Sequence, residues 1–128
     1  MNKIMKLVIT IISIFLVVFI IGIIVINLPD CSNEVENGKV TCEQKEFLIS
    51  EKGAILIDVR TKEEYDEGHL DKAINISYDE VVSKLKDYDK DTPIIVYCRS
   101  GNRSAKAYQS LQDAGYTNLY DLGAMSNC

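Results

Sequence analysis

The stretch "IIVYCRSGNRSAKAY", residues 94–108, changes character twice. It opens as a short apolar run, ends that run on Cys98, and passes through a loop with one Gly and two Arg. From about Ser104 it reads as a helix. A continuous apolar run of this length suits a strand buried on both faces, as in a parallel sheet. Ligands of parallel α/β sheets bind outside the carboxyl ends of the strands, and Cys98 stands at such an end. Backbone N–H groups at a helix start are unpaired, and the helix dipole adds positive potential there. A thiolate centred in such a loop is stabilised and becomes a nucleophile at neutral pH. Gly101 lets the loop turn its amides inward, while Arg99 and Arg103 extend the positive field toward an anionic substrate. The competing reading is a buried structural cysteine with surface arginines beside it.

Outward from this stretch, short strands and helix starts alternate. "AILIDV" (54–59), "AINIS" (73–77) and "NLYDL" (118–122) join "IIVYC" (94–98) as expected strands. Thr41 with Gln44, Thr61 with Glu64, and Ser77 with Glu80 each have the spacing of a capping box. Gly115 closes the helix that begins near Ser104. The pattern predicts an α/β fold, a small parallel β-sheet flanked by helices, over residues 41–128.

Ahead of that domain, residues 7–29 hold no charged side chain and are mostly Ile, Val, Leu and Phe. Roughly 20 apolar residues cross the hydrocarbon core, so this segment is expected to be one transmembrane anchor. Lys3 and Lys6 precede it in residues 1–6, which places the N-terminus in the cytoplasm and the domain outside the cell membrane. A cleaved signal peptide is the alternative, but "NLPDC" (27–31) lacks the small residues of a cleavage site. Residues 30–40 are polar and read as a linker. Beyond the anchor lie nineteen acidic and twelve basic residues, a net charge of −7, which argues against nucleic acid as a partner. Cys31 and Cys42 lack the close spacing of zinc ligands and His69 is the only histidine, so no metal site is expected.

Four segments, in order, resemble the rhodanese-like sulfurtransferases. They are "LIDVR" (56–60), "EEYDEGHLDKAINIS" (63–77), "YCRSGNRS" (97–104) and "AGYTNLYDLGA" (114–124). The resemblance implies that Cys98 accepts a sulfane sulfur from a small anionic donor such as thiosulfate. The resulting persulfide passes its sulfur to a thiol or cyanide-like acceptor, and no cofactor is needed. Arg99, Ser100, Gly101, Asn102 and Arg103 would cradle the persulfide and the donor. Four residues separate Cys98 from Arg103, whereas the related phosphatases have five, which favours sulfur over phosphate. Asp58, Arg60 and His69 are implied to support the fold, with Asp58 and Arg60 anchoring a strand end and pairing with Glu63 or Glu64.

The sequence departs from the family pattern after Gly123. Ala124 stands where a second Gly is common, and Cys128 where an aromatic residue is expected. Cys128 is therefore a candidate resolving thiol, since the segment runs back near the active loop in this family. A Cys98–Cys128 disulfide would make the domain an extracytoplasmic thiol–disulfide oxidoreductase. A Cys31–Cys42 bridge would tie the linker to the first helix of the domain. A third reading is a membrane-tethered binding module without catalysis, against which the intact "CRSGNRS" loop argues.

Overall fold

The structure, a computed structural model, describes residues 2–26 and 34–128. It forms two compact units, Met1–Glu34 and Val35–Cys128. The first holds one helix, α1 (Lys3–Ile26). Its residues Lys3–Ile24 are long and apolar enough to cross a membrane. At ~1.5 Å per residue α1 exceeds the ~30 Å of a bilayer core. The Thr10 hydroxyl donates back to the Lys6 carbonyl at 2.8 Å, so this polar group is satisfied within the helix. The helix starts four residues before the expected span. Residues 27–29 of that span, and Cys31, lie outside the described residues.

The second unit is a five-stranded parallel sheet with helices on its faces. Its strands are β1 (Gly38–Lys39), β2 (Ile55–Asp58), β3 (Ile74–Asn75), β4 (Ile94–Cys98) and β5 (Leu119–Ala124). They are ordered β1-β5-β4-β2-β3. The helices are α2 (Cys42–Lys52), α3 (Lys62–Glu67), α4 (Val81–Lys84) and α5 (Asn102–Asp113), and a 3₁₀ turn, Met125–Asn127, follows β5.

β4 lies at the centre with all five residues buried. Successive strand side chains point to opposite faces. Ile94, Val96 and Cys98 accordingly pack with Val81, Leu85, Ala107 and Leu111 from α5 and the α4 region. Ile95 and Tyr97 pack on the other face with Leu48 of α2, Leu56 and Leu122. Fully burying such an aliphatic side chain contributes roughly 1.5–3 kcal/mol, so two small cores flank one strand.

Two of the three expected capping boxes are formed. Thr41 caps α2 with Gln44 reaching back, and Thr61 caps α3 with Glu64 reaching back. The third differs. α4 begins at Val81, its N-cap Glu80 makes no side-chain cap, and the Ser77 hydroxyl turns to Asp79 instead. The expected linker also gives up its end to the sheet. Gly38 and Lys39 pair with Tyr120 and Asp121, and the Asn37 side chain bonds the Thr117 carbonyl and the Leu119 amide. Two residues without an apolar pattern carry no strand signal, so a strand held by its neighbour's backbone is invisible to periodicity.

Candidate active site

The alternation along β4 aims Cys98 at the α5 face, and residues 99–101 then carry the chain over the sheet edge into α5. Gly101 turns that corner with φ +98°, a left-handed conformation that side chains with a Cβ resist. The turn points two backbone donors at the sulfur. The Gly101 N–H reaches Cys98 Sγ at 3.0 Å and the Ser104 N–H reaches it at 3.3 Å. The Ser104 hydroxyl donates to the Gly101 carbonyl at 3.1 Å and braces the loop. Burial pushes the Cys98 thiol up, but the amides of Ser104, Gly101 and Ser100 outweigh it and hold the thiol below its ordinary value. Cys98 is the free cysteine among the described residues.

The two loop arginines part company. Arg103 is turned into a fork–fork pair with Glu64, its Nη1 and Nη2 donating to the two carboxylate oxygens at 2.6 and 2.9 Å. Glu64 Oε2 also accepts from the Thr61 amide at 3.1 Å. The Arg103 guanidinium and that amide hold the Glu64 carboxyl well below the usual carboxylate range, at about 2. Arg99 is exposed and faces a cleft of about 570 Å³. Arg60, Glu64, Glu67, Gly68, Leu70, Met125, Ser126 and Cys128 line the rest of it.

A buried ion pair supports the cleft floor. Arg60 Nε donates to both oxygens of Asp58 at 2.9 and 3.0 Å, and its Nη2 donates to Oδ2 at 2.6 Å. The same Nη2 reaches the Gly68 carbonyl at 2.7 Å. The Tyr97 hydroxyl donates to Asp58 at 2.9 Å and accepts from the Leu70 amide at 3.0 Å. The expected pairing of Arg60 with Glu63 or Glu64 is therefore corrected. Asp58 satisfies Arg60 two residues away, which leaves Glu64 to Arg103. His69 is exposed, stacks on Tyr65 at 3.7 Å between ring centres, and holds Nδ1 2.9 Å from the Tyr65 carbonyl. It does not line the cleft with Arg99.

The cysteines pair otherwise than in either bridge raised as an alternative from sequence. Cys128 is bonded to Cys42, with 5.4 Å between their Cα atoms, a separation typical of disulfides. Cys128 thus forms no bridge to Cys98, and Cys42 forms none to Cys31. The 3₁₀ turn after β5 directs Cys128 back to the start of α2. Ser104 and Glu64 are the site residues that sequence reasoning had not placed there. Ser104 closes the quoted "YCRSGNRS" segment, and Glu64 was expected only as the capping partner of Thr61 and as a partner of Arg60. Among the described residues, no three His, Cys, Asp or Glu side chains gather into a metal-holding group.

The fold is thus α/β, with the Cys98 thiol under the amides of Gly101 and Ser104 at the carboxyl edge of a parallel sheet. The chain belongs to the rhodanese-like domain family, whose model matches residues 42–126. It is 34% identical over 82 residues to the uncharacterized protein YqhL of Bacillus subtilis (strain 168), a match spanning 64% of this chain and 65% of that protein. Among solved structures it is similar to an Escherichia coli rhodanese with anions, at 34% identity and a TM-score of 0.54, over 59% of this chain and 91% of that one. It is also similar to the human single-domain sulfurtransferase TSTD1, at 25% identity and a TM-score of 0.64, over 70% and 92% of the two chains. The fold is thus of the sulfurtransferase type.

Proposed function

We propose that the domain is a sulfurtransferase in which Cys98 takes a sulfane sulfur from an anionic donor of the thiosulfate kind. The observation that carries this reading is the pair of amides, from Gly101 and Ser104, trained on Cys98 Sγ. They favour the attacking thiolate and then the persulfide that replaces it, with no general base required. The thiolate attacks the outer sulfur of thiosulfate, the S–S bond breaks, and sulfite leaves with the bonding pair. A thiophilic acceptor then removes the sulfur and restores the thiolate. Arg99 at the cleft meets the donor anion, and Arg103, neutralised by Glu64, fixes the loop rather than the donor. The structural likeness to a rhodanese with anions at 34% identity supports an anionic donor.

We further propose that α1 anchors the domain to the cell membrane with the N-terminus in the cytoplasm. Lys3 and Lys6 stand at its start, and the next basic residue is Lys39. Protease shaving of intact cells tests this; a domain protected until lysis contradicts it.

The deciding experiment is intact mass spectrometry of the full chain in detergent, with its disulfide intact, before and after thiosulfate. The wild type should gain one sulfur and Cys98→Ser none. A wild type that gains no sulfur, or a Ser variant that gains one, removes the mechanism.

A further inference from the structure

Cys42 and Cys128 occupy unequal places around their shared bond. Cys128 is exposed and lines the cleft together with Arg99, whereas Cys42 is half-buried as the first residue of α2. Negative charge on a sulfur released at Cys42 is favoured, because it lies at the positive end of an 11-residue helix. Cys128 is also tied closely to the sulfur-transfer loop. Ala124 is the cross-strand partner of Cys98, and a Cβ on Gly101 would sit 3.7 Å from the Gly123 Cα. Neighbouring strands lie ~4.8 Å apart. Four residues reach at most ~13 Å. Once the disulfide opens, the segment after β5 is long enough to bring Cys128 over the loop that holds the Cys98 sulfur.

We infer that Cys42 and Cys128, in their dithiol form, are the acceptor that discharges the Cys98 persulfide as hydrosulfide. This rests on the sulfurtransferase reading above. The Cys128 thiolate attacks the outer persulfide sulfur, the Cys98 S–S bond breaks, and Cys98 leaves as its thiolate. The sulfur now sits on Cys128. The Cys42 thiolate attacks the Cys128 sulfur and forms the 42–128 bond, and hydrosulfide leaves with the electron pair. One sulfane sulfur is reduced by two electrons, the dithiol is oxidised by two, and the two thiol protons pass to solvent and hydrosulfide. The product is the disulfide seen in the structure. An external dithiol restores the pair by attacking the exposed Cys128 and expelling Cys42.

The test is a single turnover with the full chain in detergent. The chain is reduced, freed of reductant without air, and given thiosulfate in fixed excess. The reduced wild type should release one equivalent of hydrosulfide per chain and yield a crosslinked 42–128 peptide, its discharged Cys98 then taking up a second sulfur. Release should be first order, with an observed rate constant independent of chain concentration. The oxidised wild type and the Cys42→Ser/Cys128→Ser chain should instead keep the added sulfur on Cys98. Cys42→Ser alone should carry sulfur on Cys128 and release none. A reduced wild type that releases no more hydrosulfide than the double variant overturns the inference, as does an observed rate constant that rises with chain concentration. If the oxidised wild type and the double variant gain no sulfur at all, the sulfurtransferase reading itself falls.

Discussion

Arg103 and Glu64, 39 residues apart in sequence, meet in a two-pronged ion pair that ties the first turn of α5 to the first turn of α3. Glu64 also caps α3, so one carboxylate serves two elements. Its carboxyl is lowered in the fold to about 2, so its stabilisation is present above the ordinary pKa of ~4.3 and lost as pH falls toward 2. We predict that Glu64→Gln costs ~1 kcal/mol at pH 6 and progressively less as pH falls through 2. Urea midpoints of the two chains across that range check it, and a difference that persists in acid contradicts the assignment.

Cys98 should titrate below a free thiol, whose pKa is ~8.5, because the loop amides outweigh burial. The ultraviolet absorbance of the thiolate, with Cys98→Ser as the blank and the disulfide left closed, reports the midpoint directly. A midpoint above 8.5 would mean that burial dominates.

Gly101→Ala places a Cβ on a backbone at φ +98° while meeting only ordinary contacts from Gly123 and Ala124. The cost is conformational, ~1–2 kcal/mol, and the relaxed loop should swing the Gly101 amide off the sulfur. The expected signature is an upward shift of the Cys98 titration, with a modest fall in thermal midpoint. An unchanged titration in a folded variant argues that this amide is not what holds the thiolate.

Arg99 makes no ion pair among the described residues and faces the cleft. Arg99→Ala should therefore raise KM for thiosulfate, by ~10-fold for a lost charge-assisted contact, and leave kcat nearly unchanged. The opposite split, with kcat falling alone, would place Arg99 in the transition state.

Asp58→Asn leaves the buried Arg60 guanidinium facing an amide, and the expected loss is ~3–5 kcal/mol of stability. Tyr97→Phe, which strips the hydroxyl between Asp58 and the Leu70 amide, should cost ~1–3 kcal/mol. Circular dichroism in urea measures both. Asp58→Asn costing less than Tyr97→Phe would show that the hydroxyl, not the ion pair, holds the floor of the cleft.

The strands and helices around Cys98 were legible because each announces itself locally. β4 is an unbroken apolar run, and Thr41 and Thr61 carry their caps within four residues. Cys98 and its loop could be read for the same reason, as strand, turn and helix start are contiguous. What escaped depends on contacts between distant residues. β1 exists only through β5, and Arg103 finds Glu64 rather than solvent because the fold brings the start of α3 to the start of α5. The Cys42–Cys128 pairing follows from where the turn after β5 points, and four cysteines in a sequence allow three pairings without preference. Ser77 misled because a cap pattern also suits a tight turn, and here the hydroxyl bonds Asp79.

The placement of β1 has a mechanical consequence. A pull on the chain at residue 34 would act first on the short β1–β5 pairing, two residues at the sheet edge, and peel it away. It would then arrive at Cys42. From there the 42–128 bond joins residues 86 apart in sequence into a covalent ring, so the load passes to Cys128 without crossing β4. With the chain also held at Cys128, tension would be diverted around the strand that carries Cys98, and only reduction of that bond would let it through.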